Sequence, residues 1–322
     1  MAASADASRP GAAATPPPKP APKRAPTPRA PALRRAYRRA QIMDLVRLAR
    51  LDRPVGIWLL LWPTLWALWL PAGGMPQTRL LLVFIVGTVV MRSAGCVIND
   101  LLDRNIDPHV RRTRDRPLAA RRVSPHAALV LIAVLLAVAL GLALLLNRPA
   151  LQLAVVGALL SLTYPLFKRF FPLPQLYLGV CFGWGIPMAF AATLGYVPRA
   201  GWVLLLAAVL WAGVYDTYYA MADRADDQRI GVRSTAISFG DMDLPMIGAM
   251  QLMMLLALLL MGRSLLLGRW YYAGLAAGAL LLASQLWMAR TRDRTDCLRA
   301  FAHSHWFGAA VLAGIVMNYS AR

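Results

Sequence analysis

The run Asn99-Asp100-Leu101-Leu102-Asp103-Arg104-Asn105-Ile106-Asp107 follows directly on a long apolar segment and leads into a dense basic loop. Carboxylates are costly beside hydrocarbon and are rarely placed there without a partner. Asn99, Asp103 and Asp107 are spaced four apart, which on a helix puts them on roughly one face. Like charges at that spacing repel, so an apolar helix that carries them calls for a counter-charge. A divalent cation is the simplest one, and carboxylate and amide oxygens suit a hard ion such as Mg2+. The competing reading is a helix end with ordinary capping and solvation. A second patch, Asp223-Arg224-Ala225-Asp226-Asp227, weakens that alternative. It also ends an apolar run, and Asp223 and Asp227 are again four apart. Two acidic patches at matching places suggest one site built from two halves.

The wider composition places these patches in a membrane. Of 322 residues, 58% are hydrophobic, and the mean hydropathy is +0.51. Soluble domains contain about 45–50% apolar residues, so the excess, gathered in runs, predicts an all-α polytopic membrane protein. The formal net charge of +20 raises nucleic acid as a partner, but the positions of the charges assign them to membrane topology and exclude that class. Three widely spaced cysteines, Cys96, Cys181 and Cys297, do not form a disulfide framework. Each reads as a small buried apolar residue.

Residues 1–44 form a basic Ala/Pro-rich tail with few aromatic or branched apolar residues, and such a segment is expected to stay disordered. It has no apolar core of a secretory signal. It suits the neighbourhood of anionic headgroups. Its basic, acid-poor character also leaves a mitochondrial transit peptide open. Residues 45–322 form the transmembrane domain. Nine apolar segments of spanning length are expected at about 54–72, 78–99, 126–146, 150–167, 174–195, 201–221, 244–262, 270–289 and 303–319. The tail, the 104–122 loop and the connections after segments four, six and eight hold most of the Arg and Lys. By the positive-inside rule these face the cytoplasm, together with both acidic patches. Trp58, Trp62, Trp66 and Trp69 fall at steps of three and four along the first segment and read as a packing stripe. Pro63 and Pro187 each sit inside a segment and predict a kink.

Arg92 lies seven residues, two helical turns, before Asn99 and shares its face. A cation that deep in an apolar helix either pairs internally or meets an anionic ligand. Both readings are open from the residues alone. Arg116, Lys168 and Arg169 are cations on the membrane side of the acids, and Tyr164 precedes Lys168 closely. Acidic metal patches ringed by Arg and Lys, open to a hydrophobic bundle, suit a lipid diphosphate: carboxylates hold Mg2+, Mg2+ bridges phosphates, and cations neutralise the rest. No phosphate-cradling glycine loop of the P-loop kind is present.

At these residues the chain resembles the UbiA superfamily of intramembrane prenyltransferases. Asn99-Asp100-x-x-Asp103-x-x-x-Asp107 looks like its first aspartate-rich motif and Asp223-x-x-x-Asp227 like its second. The runs beginning at Arg50, Gly95, Arg112 and Asp216 resemble the branch that prenylates 4-hydroxybenzoate. The resemblance covers residue 45 to the C-terminus. It implies a nine-helix bundle with a central cavity, and Mg2+-dependent transfer of a polyprenyl group from polyprenyl diphosphate to 4-hydroxybenzoate at carbon 3, an early step of ubiquinone synthesis. It implies that Asn99, Asp103, Asp223 and Asp227 hold two Mg2+, with Asp100 and Asp107 assisting. Asp103, Asp223 and Asp227 are then the catalytic acids. Arg92 would bind the aromatic carboxylate, Arg116 and Lys168 the diphosphate, and Tyr164 would line the site.

Two other classes remain in view at this stage. One is a transporter of anionic lipids or metabolites with the acids as ion ligands. The other keeps the enzyme and changes the acceptor to homogentisate or a naphthoate. The Arg/Ala/Leu-heavy, Lys-poor composition points to a bacterial inner membrane rather than a mitochondrial one. Neither the prenyl chain length nor the oligomeric state is encoded in these motifs.

Overall fold

The computed structural model describes residues 30–109, 113–167, 173–231 and 233–321. The described residues divide into two units between Ala40 and Gln41. Helix α1 spans Ala30–Leu48. The boundary expected at residue 44 therefore falls inside a helix, and the end of the tail is not the unstructured coil its prolines suggested. The prolines stop at Pro31, and the run from Ala32 onward is rich in Ala, Arg and Leu, which are strong helix formers.

Among the described residues of Gln41–Arg322, nine helical stretches are long and apolar enough to cross a membrane. They match the nine expected segments closely. The first is α2, Val55–Ala72. It is followed by α3, Thr78–Leu102, by α4, Pro125–Ala143, and by α5, Arg148–Phe167. The fifth crossing is made of α6, Pro174–Gly183, and α7, Gly185–Leu194. The break at Trp184 follows from Pro187. Its ring replaces the N–H that would bond the carbonyl of Gly183 and crowds that carbonyl. The kink expected from Pro187 thus appears as a broken helix three residues upstream.

The sixth crossing, α8, runs over Arg199–Ile230. It is longer than expected, and its last turns carry the second acidic patch on helix rather than on a loop. A short α9, Thr235–Phe239, precedes α10, Asp243–Ser264. Then come α11, Arg269–Ala289, α12, Arg294–His303, and α13, His305–Ser320. Ser304 interrupts the last crossing, and its hydroxyl donates back to the carbonyl of Ala300 at 3.0 Å.

The tryptophan stripe of α2 does pack. Trp66 stacks on Trp211 of α8 at 5.6 Å between ring centroids and meets Phe307 of α13 edge-on at 6.2 Å. Its Nε1 donates to the carbonyl of Gly308 at 3.0 Å. Trp62 lies so close to Gly308 that a Cβ there would stand 2.4 Å from Trp62 Cδ1. Aromatic rings that dominate a buried contact fix the angle between helices. Here they lock α2, α8 and α13 together, away from the ends that carry the acids. Trp58, at the start of the stripe, is instead exposed and stacks on Trp62, at 4.9 Å between ring centroids. Between α11 and α13 the backbones touch. A Cβ on Gly274 would lie 2.7 Å from both the Ala310 carbonyl oxygen and Gly314 Cα, the close approach that small residues allow between membrane helices.

Candidate active site

Both acidic patches sit at helix ends, and both are held by arginines. In the first, Asn99 and Asp100 lie on the last turn of α3, and Asp103 is its C-cap. The helix stops there, so the three residues do not share one continuous helix as the spacing suggested. The four-residue rhythm survives nonetheless. Asp103 N donates to the Asn99 carbonyl at 2.9 Å, and Asp107 N donates to the Asp103 carbonyl at 2.9 Å. Asp107 opens a single 3-10 turn that ends at His109. Asp100, Asp103 and Asp107 are all buried.

Asp100 is 2% exposed and takes two guanidinium groups. Arg50 Nη2 donates to both of its oxygens, at 3.1 and 2.9 Å. Arg116 Nη1 donates to Asp100 Oδ1 at 2.9 Å and to Asp107 Oδ2 at 3.0 Å. A buried carboxylate of this kind is stabilised by charge-assisted bonds that pin both arginines. Asp100 thus holds Arg50 and Arg116 together beside the first motif. Thr113 Oγ1 donates to the Asp107 carbonyl at 2.9 Å and closes the loop.

The second patch lies on the last turns of α8, where Asp223, Asp226 and Asp227 ride one helix. Asp223 is buried, and Asp226 and Asp227 are half-buried. Arg294, the first residue of α12, lies across the patch, 3.8 Å from Asp223 and 3.7 Å from Asp226. Next to it, Asp243 is fully buried and binds Arg224 and Arg292. Arg292 Nη2 and Nε reach Asp243 Oδ1 at 2.9 and 3.1 Å, and Arg224 Nη2 bonds the other oxygen. The Leu244 amide donates to Asp243 Oδ1 at 2.6 Å. This clamp joins the end of α8, the start of α10 and the turn before α12. Its carboxylate holds the Arg292 guanidinium above its usual pKa by hydrogen bonding and charge.

Deeper in the bundle, the polar groups of α3, α5, α6 and α8 meet. Arg92 lies against Gly56 of α2, where a Cβ would stand 2.7 Å from Nε and Nη2. Its Nη1 donates to Cys96 Sγ at 2.7 Å, and its guanidinium lies 5.5 Å from the Phe182 ring centroid. Its Nε–H is buried and finds no acceptor. Internal pairing with an aspartate, one of the two readings open from sequence, is not made among the described residues. Tyr164 stacks on Tyr177 at 6.3 Å and lies within electrostatic range of Asp216, Cys181, Arg92 and Asp103. Tyr215 feels Asp216, Arg92 and Tyr164. Arg92, Asp103 and Tyr164, three of the expected residues, thus share one interior neighbourhood. Lys168 lies outside the described residues.

The residues overlooked in the sequence are Asp216, Arg50 and Arg294. Asp216 had a signal: it stands seven residues before Asp223, as Arg92 stands seven before Asn99. Arg50 opens one of the family-like runs but had no sign of its partner, and Arg294 had only loop charge.

Residues 60–309 match the UbiA prenyltransferase family. The chain is 51% identical over 281 residues to a 4-hydroxybenzoate octaprenyltransferase of Coxiella burnetii (strain CbuK_Q154), covering 87% of this chain and 98% of that protein. It is 52% identical over 276 residues to one of Thiobacillus denitrificans, covering 86% and 94%. A UbiA homolog from Aeropyrum pernix K1, solved in apo form, superposes with a TM-score of 0.72 at 26% identity, covering 81% of this chain and 97% of that one. A UbiA homolog from Archaeoglobus fulgidus bound to GPP and Mg2+ shares the fold at a TM-score of 0.60 and 18% identity, covering 84% and 99%. With two acid-bearing helix ends, nine candidate crossings among the described residues and a family match over residues 60–309, the chain belongs to the UbiA prenyltransferase family.

Proposed function

We propose that this protein transfers a polyprenyl group from polyprenyl diphosphate to carbon 3 of 4-hydroxybenzoate, releasing diphosphate, as a step of ubiquinone synthesis in the bacterial inner membrane. The observation that carries the reading is the interior neighbourhood of Arg92, Asp103, Tyr164 and Asp216, which includes an acid of the first motif. The relatives that are about half identical over nearly their whole length carry the same activity in their names.

The acids fit a metal that arrives with its substrate. Among the described residues no group of three or more His, Cys, Asp or Glu side chains forms a closed cage. Mg2+ rarely asks for one: it binds through one or two carboxylates plus substrate phosphates and keeps water. Asn99 and Asp103 on one side, with Asp107 near, and Asp223 and Asp227 on the other, offer that donor set. When bound there, Mg2+ supplies positive charge to the departing diphosphate.

The chain's own residues do the rest. Arg116, held by Asp100 and Asp107, presents its remaining N–H groups to diphosphate oxygens, and Lys168 adds a second cation. The buried, acceptor-less Nε–H of Arg92 receives the aromatic carboxylate and sets which ring carbon faces the prenyl group. Tyr164 and Tyr215 wall the site with rings and exclude bulk water, which would otherwise capture the allylic cation. The allylic C–O bond breaks, the ring carbon ortho to the hydroxyl forms the new C–C bond, and its proton leaves. The N-terminus and both motifs face the cytoplasm.

The test is a membrane assay with labelled 4-hydroxybenzoate and a polyprenyl diphosphate, run with Mg2+ and with a chelator. A lipid-extractable labelled product that requires Mg2+ supports the reading. Product only with homogentisate or a dihydroxynaphthoate moves the acceptor, and no product from any of the three overturns the transferase.

A further inference from the structure

One guanidinium at the second motif has no part in the reaction as set out above. Arg294 Nη2 stands 3.8 Å from Asp223 Oδ1, and its Nη1 stands 3.7 Å from Asp226 Oδ2. These are ion-pair distances, too long for hydrogen bonds. The Asp226 Oδ2 atom is buried and accepts no hydrogen bond. The Arg294 side chain is 42% exposed. Its head therefore rests on the two acids without being locked to them.

The backbone beneath that head is held firmly. Asp293 is the N-cap of α12 and accepts from Thr295 N at 2.9 Å. Arg292, one residue earlier, is bound to the buried Asp243. Helix α12 packs along α8, so Arg294 is aimed at the acids by a rigid frame. The first motif has the same plan: Arg116, from the segment after the motif, spans Asp100 and Asp107. Each motif thus carries one arginine laid over two of its acids.

We infer that Arg294 is a diphosphate-binding residue of the second motif. Before the metal arrives it screens Asp223 and Asp226 from each other. With the acids' charge met by a bound Mg2+, the Arg294 guanidinium would be free to turn to phosphate oxygens, whose spacing suits its two-pronged donor geometry. The inference rests on the metal–diphosphate reading of the two motifs. It has a consequence that a structural arginine does not share. The same side chain competes with the metal when diphosphate is absent and holds the diphosphate when the metal is present. Removing it acts on the two affinities in opposite directions.

The full chain in lipid nanodiscs is titrated with Mn2+ alone, read by electron paramagnetic resonance. It is then titrated with inorganic pyrophosphate by calorimetry at saturating Mn2+. For Arg294→Gln, Mn2+ binding is expected to tighten several-fold and pyrophosphate binding to weaken about ten-fold. Arg294→Lys, which keeps the charge, falls between Arg294→Gln and wild type in both. Arg299→Gln, on the same helix but paired among the described residues with Asp296, matches wild type in both. An Arg294→Gln protein whose pyrophosphate affinity is unchanged overturns the inference. So does one in which both affinities fall together, since that marks a structural role. If wild type itself shows no Mn2+-dependent pyrophosphate binding, the reading of the motifs fails and takes this inference with it. If wild type binds and only the Arg294 variants behave otherwise than expected, the motif reading stands and the role of Arg294 falls.

Discussion

At the scale of single residues, the acids differ in the work they do. Asp103 and Asp223 belong to the proposed metal set, whereas Asp100 is bound by both Arg50 and Arg116. Asp103→Asn or Asp223→Asn is expected to lower kcat by about a hundred-fold or more, because charge on the departing group loses its counter-ion. Thermal unfolding should barely move, and a variant with wild-type turnover would remove that residue from the metal set. Asp100→Asn has a different signature. It loosens two cations rather than a ligand, so the KM for the diphosphate rises while the Mg2+ dependence of the rate is kept. Arg92→Ala is expected to raise the KM for the aromatic acid about ten-fold and to spare that for the diphosphate. Gly56→Ala should imitate it in milder form, because a methyl group there displaces the guanidinium. Equal effects on both substrates would count against the carboxylate role.

At the scale of elements, the site depends on how helix ends are tied. Asp243 joins α8, α10 and the turn before α12 through Arg224 and Arg292. Its loss leaves two arginines that are only partly hydrated. Breaking a buried pair from one side costs about 3–5 kcal/mol, and the exposure of these cations moves the figure for Asp243→Ala down to about 1–3 kcal/mol. Thermal unfolding in detergent measures it, and the variant should also bind diphosphate less well because Arg294 loses its frame. The packing of α11 on α13 offers a purely structural comparison. Gly274→Val forces side-chain atoms into the Ala310 carbonyl and Gly314, and overpacking of this sort costs about 1–3 kcal/mol. Stability should fall while the KM values stay put, since Gly274 lies near the start of α11, and Arg292 and Arg294 follow its other end. The break at Trp184 was legible from Pro187 and the rule for its lost N–H. The continuation of α8 past residue 221 was not. A charged turn after an apolar run reads as a loop when only hydropathy is counted, yet Arg224, Asp226 and Arg229 are compatible with helix once Asp243 and Arg294 anchor it.

At the scale of the whole molecule, this is a multi-pass membrane protein of the UbiA family whose charges divide it into two faces. A cysteine-free background tests the orientation. Asp115→Cys, on an exposed loop residue, should react with a membrane-impermeant thiol reagent only in inside-out vesicles. Met75→Cys, on an exposed turn at the other end of α3, should react only in right-side-out vesicles. The reverse pattern would invert the topology and place the acids outside the cytoplasm.

The nine crossings, the two acidic patches and the depth of Arg92 were determined by the sequence alone. Each rests on local quantities: the length of an apolar run, a spacing of four or seven along a helix, the presence of a charge in hydrocarbon. The helical start of α1 at Ala30 follows from the propensity of the Ala/Arg run that comes after the last proline of the tail. Only the tertiary structure decided which cation answers which acid. Arg50 reaches Asp100 across 50 residues and Arg292 reaches Asp243 across 49. Arg294 lies over a patch it follows by some seventy positions in the chain. An arginine in a basic loop carries the same charge whichever partner it meets. The choice among partners is made by where the packed helices, locked by Trp66, Trp211 and Phe307, bring their ends.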